Sequence, residues 1–220
     1  ARKIIAASLL AILPVASAKD EVSKEAPKVA PKEESLEAYN NRMQWFVDSP
    51  YGMFIHFGLY STIGGIWQGK PIDKYAEWIQ GTANIDREEY AQLAKSFNPA
   101  DFDADLIVRS AKEAGMTYLV ITAKHHDGFC NWPTAKSTHS VASSPWRAGK
   151  GDVLRELSDA CREAGMKFGV YLSPWDRNNP KYGTGEEYNE YFRRQLREVL
   201  TQYGPIFEVW FDGACGEGPN

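Results

Sequence analysis

Ionisable side chains follow four short apolar segments of the chain, each at the point where the segment ends. They are His56, His125 and His126, Asp176, and Asp212. A carboxylate at the end of a buried strand is held rigidly by the sheet while it faces the space beyond, which suits an enzyme's nucleophile or base. Asp212 is therefore the leading catalytic candidate. The alternative is that Asp212 only opens an Asp-Gly turn.

The apolar segments have the composition of strands that are buried on both faces. They cover residues 51–55, 116–123, 166–172 and 206–211 and are rich in β-branched and aromatic residues. Such runs are typical of a parallel sheet covered by helices. The sequence therefore predicts a parallel sheet with polar chemistry at the carboxyl end of each strand.

Helical patterns lie between these predicted strands. Residues 103–114 and 152–164 carry apolar side chains at helical spacing, and each is followed by a glycine suited to a left-handed C-cap, Gly115 or Gly165. A longer amphipathic pattern covers residues 186–203. The predicted order is β, α, β, α, β, α, β.

This alternation fits two α/β architectures, an open doubly wound sheet and a (β/α)8 TIM-like barrel. No Gly-x-Gly-x-x-Gly motif follows the first predicted strand, which disfavours the dinucleotide-binding form of the open sheet. Functional residue types at four successive strand ends favour the barrel. Because a barrel needs eight strands and roughly 250 residues, we expect this chain to cover about four of its βα units.

The N-terminal residues predict export. Arg2-Lys3 precede an apolar stretch, residues 4–15, and the small residues Ala16-Ser17-Ala18, which is the order of a secretory signal peptide over residues 1–18. Residues 19–38, dense in Lys, Glu, Ala and Pro and without aromatics, predict a disordered spacer before a folded part at residues 39–220. We expect a periplasmic or secreted protein that continues past the last residue given.

Composition narrows the classes of partner. The net charge of −4 and the isoelectric point near 5.7 argue against a nucleic acid, and the apolar N-terminal stretch is too short to span a bilayer. The three cysteines, Cys130, Cys161 and Cys215, cannot all pair with one another and match neither a zinc motif nor a disulfide-rich scaffold, so we interpret them as free or packed thiols.

Five motifs occur in order along the chain. They are His56-Phe57-Gly58, Tyr75-Ala76-Glu77-Trp78, Lys124-His125-His126-Asp127-Gly128-Phe129 with Trp132 just after, Tyr171-Leu172-Ser173-Pro174-Trp175-Asp176, and Trp210-Phe211-Asp212-Gly213. Together they resemble the retaining α-L-fucosidases of glycoside hydrolase family 29. The resemblance covers residues 40–220 and the N-terminal half of that family's catalytic barrel, and the third motif is the most specific of the five.

The resemblance implies an enzyme that releases terminal α-L-fucose from fucosylated oligosaccharides or glycoconjugates, without a cofactor or a metal. It implies that Asp212 is the nucleophile of a retaining double displacement. It implies that the fucose ring is held by His56, Glu77, Trp78, His125, His126, Tyr171 and Trp210, with Trp132 and Trp175 along the cleft or the leaving-group side. These residue types fit, since imidazoles and a carboxylate serve sugar hydroxyls while rings cover the apolar methyl face. Lys124 and Asp127 are interpreted as structural.

One catalytic group is missing from the pattern. A retaining glycosidase needs a second carboxyl about 5 Å from the nucleophile, and Glu217 is the only carboxylate side chain after Asp212. Glu217 lies too near the nucleophile in a Gly-rich segment to oppose it across the bond. We therefore expect the acid/base beyond Asn220, and we expect the 220 residues alone to be inactive and, with their outer strands unpaired, to associate.

Two other functions fit the same residues. A metal-dependent hydrolase could use His56, His125, His126 and Asp212 as zinc ligands, although Trp78 and Trp210 beside them suit a sugar better. A non-catalytic fucose-binding module would keep hydroxyl recognition and lack the chemistry.

Overall fold

The computed structural model describes residues 33–48 and 51–213 of a chain that forms two compact units, Ala1–Met43 and Gln44–Asn220. The described part of the first unit contains the start of helix α1 (Leu36–Asp48) and an exposed ion pair in which Arg42 donates to Glu34 at 2.8 and 2.9 Å. The predicted signal peptide lies outside the described residues, as does most of the predicted spacer. Helix α1 begins three residues before Tyr39, so it overlaps the end of that spacer.

The second unit alternates strands and helices. In chain order its elements after α1 are β1 (Met53–Ile55), α2 (Leu59–Ile63), β2 (Ile66–Trp67), β3 (Lys70–Pro71), α3 (Ile79–Thr82), α4 (Arg87–Ala91), α5 (Ala104–Glu113), β4 (Tyr118–Lys124), α6 (Val153–Ala164), β5 (Lys167–Leu172), α7 (Glu186–Gln202) and β6 (Val209–Trp210). Short 3₁₀ turns cover Ala76–Trp78, Gln92–Ser96, Val141–Ser143 and Trp146–Gly149. None of the helices within residues 33–48 and 51–213 has both the length and the apolar character needed to cross a membrane.

Four of the strands form a parallel sheet in the order β1-β4-β5-β6. Met53 pairs with Leu119, Leu119 with Phe168, and Val170 with Val209. The remaining two strands, β2 and β3, form a separate antiparallel hairpin. The predicted α/β class, parallel sheet and element order are confirmed, and all four carboxyl ends lie along one edge.

Local sequence signals fix the ends of the two helices that cover the sheet. The side chains of Asp103 and Asp152 cap α5 and α6, each accepting a backbone N–H at 2.9 Å. Gly165 ends α6 with a φ of 69°, the left-handed conformation that glycine adopts without a Cβ clash. The predicted bounds of both helices are confirmed to within a residue.

The core lies between the central strands and these helices. Residues 119–124 of β4 and 168–172 of β5 are buried, and α6 packs on both strands and against α5. Leu154 and Leu157 of α6 are wholly buried, and burial of such a side chain contributes about 1.5–3 kcal/mol. Cys130 and Cys161 are buried free thiols, as predicted, and Cys215 lies outside the described residues.

An aromatic cluster closes the opposite, amino-terminal end of the sheet. The Trp45 ring meets Tyr118 at 6.1 Å and Phe207 at 5.0 Å, both edge-on. The Lys167 ammonium lies 4.1 Å from the centre of the same ring, which is a cation–π distance. This end of the sheet is therefore filled by side chains, and polar groups gather at the carboxyl end.

Candidate active site

Asp212 meets side chains from two neighbouring strands at the carboxyl edge of the sheet. The Tyr171 hydroxyl, from β5, donates to Asp212 Oδ2 at 2.9 Å, and His126 Nε2, from just beyond β4, lies 3.7 Å from the same oxygen. The Asp212 side chain keeps 47% of its surface exposed. The carboxylate is thus oriented by the protein and still open to a ligand.

Three histidines surround the Tyr171 ring. His125 stacks on it with the ring centres 5.3 Å apart and an interplanar angle of 7°. His126 lies 4.3 Å and His56 5.4 Å from the His125 ring. His125 and His126 are buried, whereas His56 is exposed. Histidines from two strand ends thus form one imidazole cluster around Tyr171, beside Asp212.

Adjacent histidines share this cluster because they lie beyond the strand. Side chains alternate between faces only within a strand, and β4 ends at Lys124. The pairing of β4 with β5 also shifts register between Thr122 and Lys124. The turn that follows Lys124 therefore lets both rings lie against the Tyr171 ring.

Indole rings form two walls of the site. Trp78 and Trp175 flank His126 at ring distances of 5.0 and 4.8 Å. Trp210 flanks Tyr171 at 6.1 Å on the other side. Trp78 and Trp210 keep 36% and 48% of their surfaces exposed. These rings offer apolar faces to a bound molecule.

Glu77 lies next to the Trp78 wall. The 3₁₀ turn Ala76–Trp78 sits in the long connection from β1 to β4 and brings Glu77 to a narrow crevice, which His126 and Arg177 also line. Its half-buried carboxylate adds an acceptor at the edge of the imidazole cluster.

Trp132 is the predicted site residue that the structure does not bring to this cluster. Its ring is wholly buried, and its indole N–H donates to Glu198 of α7 at 3.1 Å. The loop after β4 turns back toward α7 at Trp132. Its position in the same sequence motif as the histidines therefore did not bring it to the cleft. We therefore correct the interpretation of Trp132 as a cleft residue.

Burial keeps the two central histidines uncharged. It lowers the pKa of His125 to about 2, helped by the nearby His126 and His56, and it lowers the pKa of His126 to about 4, although Asp212 acts in the opposite direction. Burial, together with the bond to Asp212, raises the pKa of Tyr171 well above its usual value. At neutral pH the site therefore presents neutral imidazoles, each with one donor and one acceptor nitrogen, and a protonated phenol.

A buried ion pair supports the two loops that carry these residues. Lys124 Nζ, wholly buried, donates to Asp176 Oδ2 at 3.3 Å and to Gln195 Oε1 at 3.0 Å. The same ammonium lies 5.4–5.9 Å from three rings of α7. Gly128 lets the loops approach, since any Cβ there would lie 2.1 Å from Asp176 Oδ1. The structural role predicted for Lys124 is confirmed.

Asp127, the other predicted structural residue, caps its own turn. It accepts the Phe129 N–H at 3.1 Å and the Tyr90 hydroxyl at 2.9 Å.

Sequence reasoning missed two residues that support the site. One is Gln195, which accepts from Lys124. The other is Ser173, and its hydroxyl lies 2.6 Å from His126 Nδ1. The available signal for Ser173 was weak: a polar residue directly after a buried strand.

The cluster also has the donors of a metal site. One ligand atom each from His125, His126 and Asp212 lie within 4.8 Å of one another. Two imidazole nitrogens and a carboxylate oxygen suit zinc. His56 is not part of this set. The hydrogen bonds from Tyr171 to Asp212 and between Ser173 and His126 leave that set partly engaged by protein groups.

Comparison with known proteins decides the family. The family model described as alpha-L-fucosidase matches residues 16–218. The chain belongs to the alpha-L-fucosidase family. It is 43% identical over 179 residues to alpha-L-fucosidase 1 of Arabidopsis thaliana, covering 81% of this chain and 31% of that protein.

Solved structures of family members are similar as well. An alpha-L-fucosidase of glycoside hydrolase family 29 from Bacteroides thetaiotaomicron superposes with a TM-score of 0.75 at 36% identity, over 83% of this chain and 42% of that one. The alpha-L-fucosidase AlfC from Lactobacillus casei, in complex with alpha-L-fucose product, gives 0.70 at 36% identity, over 79% and 61%. The chain spans about a third of the length of the curated relatives it matches.

Proposed function

We propose that the full-length protein releases terminal α-L-fucose from glycans by a retaining double displacement in which Asp212 is the nucleophile. The observation that carries this proposal is the half-exposed Asp212 carboxylate, held by the Tyr171 hydroxyl at the centre of the imidazole and indole cluster. Family membership supports it, and the similar AlfC was solved with α-L-fucose as product.

In the first step an Asp212 oxygen attacks the anomeric carbon, the glycosidic C–O bond breaks, and a second carboxyl protonates the leaving oxygen. In the second step that carboxyl takes a proton from water as the water attacks the same carbon and releases Asp212. Tyr171 holds Oδ2 and stabilises the carboxylate that departs in the second step. We place the second carboxyl beyond Asn220, so the 220 residues alone would lack the acid.

The surrounding residues suit the sugar that Asp212 attacks. The neutral imidazoles of His125 and His126 can each serve a sugar hydroxyl through one ring nitrogen. We assign His56 and Glu77 to further hydroxyls, and the exposed indole faces to the ring and its methyl group. Fucosylated glycans are accordingly the proposed partners.

The proposed fold of the whole catalytic domain is a (β/α)8 barrel. Four parallel strands with site residues at their carboxyl ends are about half of such a barrel. Later strands would pair with β1 and β6, which are the two edges of the described sheet.

We further propose that the protein is exported, with residues 1–18 as its signal peptide.

Hydrolysis of aryl α-L-fucosides by the full-length protein tests the function. We expect turnover, with competitive inhibition by L-fucose at concentrations where D-galactose has no effect. Equal inhibition by both sugars would contradict the methyl-and-hydroxyl pocket.

The donor set of His125, His126 and Asp212 supports one second candidate, a metal-dependent hydrolase. Stoichiometric zinc in the purified protein, with activity lost to a chelator and restored by the metal, would favour it over the fucosidase. Binding of fucose without turnover would instead favour a sugar-binding module.

A further inference from the structure

The hydrogen bonds of Ser173 point to a role for a residue that does not reach the cleft. Its side chain is wholly buried directly after β5. Its Oγ lies 2.6 Å from His126 Nδ1 and accepts the Trp175 backbone N–H at 3.0 Å. The hydroxyl therefore bridges an imidazole and the backbone of the next loop.

The direction of the Ser173–His126 bond follows from these contacts. The buried Ser173 hydroxyl has one proton to donate, and Nδ1, at 2.6 Å, is the acceptor that the described residues offer it, while the Trp175 N–H already supplies a donor to Oγ, so the serine proton points at Nδ1. A neutral imidazole that accepts at Nδ1 must carry its proton on Nε2. That Nε2 faces the cleft and lies 3.7 Å from Asp212 Oδ2.

We propose that Ser173 is a positioning residue that fixes the Nε2–H tautomer of His126 and so aims an N–H donor into the sugar site. The expected effect on catalysis rests on the proposed function, whereas the tautomer of His126 does not. Without the Ser173 bond, the two neutral tautomers differ less in energy, and part of the population would present a lone pair to Asp212 instead of a proton.

The order serine, histidine, aspartate also resembles a nucleophilic triad, and the geometry argues against one. A nucleophilic serine must reach the substrate, whereas the Ser173 hydroxyl is wholly buried. Ser173 therefore acts through His126.

The backbone holds this arrangement in place. The Ser173 N–H donates to the Lys124 carbonyl at 2.9 Å, and the Arg177 N–H donates to the His126 carbonyl at 2.9 Å. Both bonds join the segment after β4 to the segment after β5. The His126 ring and the Ser173 hydroxyl are thus set by the same pair of neighbouring strands.

The test measures the tautomer directly in full-length protein labelled with ¹⁵N-histidine. Long-range ¹H–¹⁵N spectra distinguish protonated from bare ring nitrogens, and a His126→Gln variant identifies the His126 signals. We expect a bare Nδ1 and a protonated Nε2 at pH 7. A protonated Nδ1 in the unmodified protein would overturn the proposal, whether or not any variant folds.

Substitution then tests the consequence. Ser173→Ala should weaken the Nε2–H signal and raise KM for an aryl fucoside about fivefold with little change in kcat, the effect of losing one ground-state hydrogen bond. Ser173→Thr, which keeps the hydroxyl, should restore both. The matched control is Ser158→Ala, which removes a buried hydroxyl that donates within α6, at 3.1 Å to Arg155 O.

Two results of these substitutions would overturn the inference. One is Ser173→Ala with the signals and KM of the parent protein. The other is a loss of kcat by several orders of magnitude, which would place Ser173 in the chemistry. If the full-length protein proves not to cleave fucosides, the proposed function fails, and the spectra still decide the tautomer.

Discussion

The hydroxyl of Tyr171 donates to Asp212 Oδ2 at 2.9 Å while the ring of the same tyrosine stacks on His125 at 5.3 Å. One side chain thus orients the proposed nucleophile and supports the imidazole cluster. The two roles can be separated, because phenylalanine keeps the ring and removes the hydroxyl.

Tyr171→Phe should lower kcat/KM on an aryl fucoside about 10- to 100-fold, because the Asp212 carboxylate loses the bond that holds it in the orientation for attack. Steady-state kinetics on the full-length protein would show it. The matched control is Tyr203→Phe, which removes another tyrosine–aspartate bond, to Asp152 at 3.0 Å, at the cap of α6. That variant should lose some stability and keep its kcat/KM, and equal losses in the two variants would argue against a role for Tyr171 at the nucleophile.

Asp212→Gly should reduce activity by several orders of magnitude with little change in fold, since it removes the proposed nucleophile and leaves the proposed sugar pocket and separate acid. Azide should enter the vacated space and attack the anomeric carbon from the same face. Rescue should therefore yield β-L-fucosyl azide, identified by NMR. Near-normal turnover would reduce Asp212 to a turn residue, and an α-configured azide product would indicate a base or a metal ligand.

Lys124→Met should lower the free energy of unfolding by about 3–5 kcal/mol, because it leaves the Asp176 charge buried without its partner. Urea unfolding would measure the loss. The exposed pair of Arg162 with Asp159, at 2.7 Å, is the control, since Arg162→Met should cost less than about 1 kcal/mol. Adding Asp176→Asn to Lys124→Met should recover part of the loss, and a further decrease would show that charge burial is not the cause.

His139 should make folding sensitive to acid. Burial lowers its pKa to about 4 from an ordinary 6.5, so its contribution to stability is present above pH 6.5 and is lost as the pH falls toward 4. Asp127 acts in the opposite sense, because burial raises its pKa to about 6. In His139→Gln, stability should fall less between pH 7 and pH 4, by an amount on the order of 3 kcal/mol. Parallel pH profiles of the two proteins would contradict this.

The parts of the fold that sequence predicted are those with local signals. Asp103 and Asp152 cap α5 and α6 through bonds to residues three positions on, and Gly165 ends a helix by its own backbone. Strand lengths were less predictable: β1 and β6 are shorter than their apolar segments. Both are edges of the described sheet, so each pairs with a strand on one side only.

The same difference between local and distant signals applies to the residues of the site. The strand-end rule predicted where His125, His126 and Asp212 would meet, because parallel strands carry their carboxyl ends to one edge. It gave no information on Trp132, whose partner Glu198 is 66 positions away, or on Gln195, which reaches Lys124 across 71 positions. Which side of a loop a residue faces depends on such distant partners.

The bonds between the two loops have a consequence for how substrate preference can change. His126 and Ser173 are fixed by side-chain and backbone bonds that also involve Lys124 and Asp176, so a substitution in either loop disturbs both. Trp78 is held differently: it sits half-exposed on a short turn of the β1–β4 connection and meets His126 and Trp175 only through ring contacts. If the full-length protein has the proposed activity, directed evolution toward a new fucoside should therefore accept changes at the Trp78 turn far more readily than in the two loops.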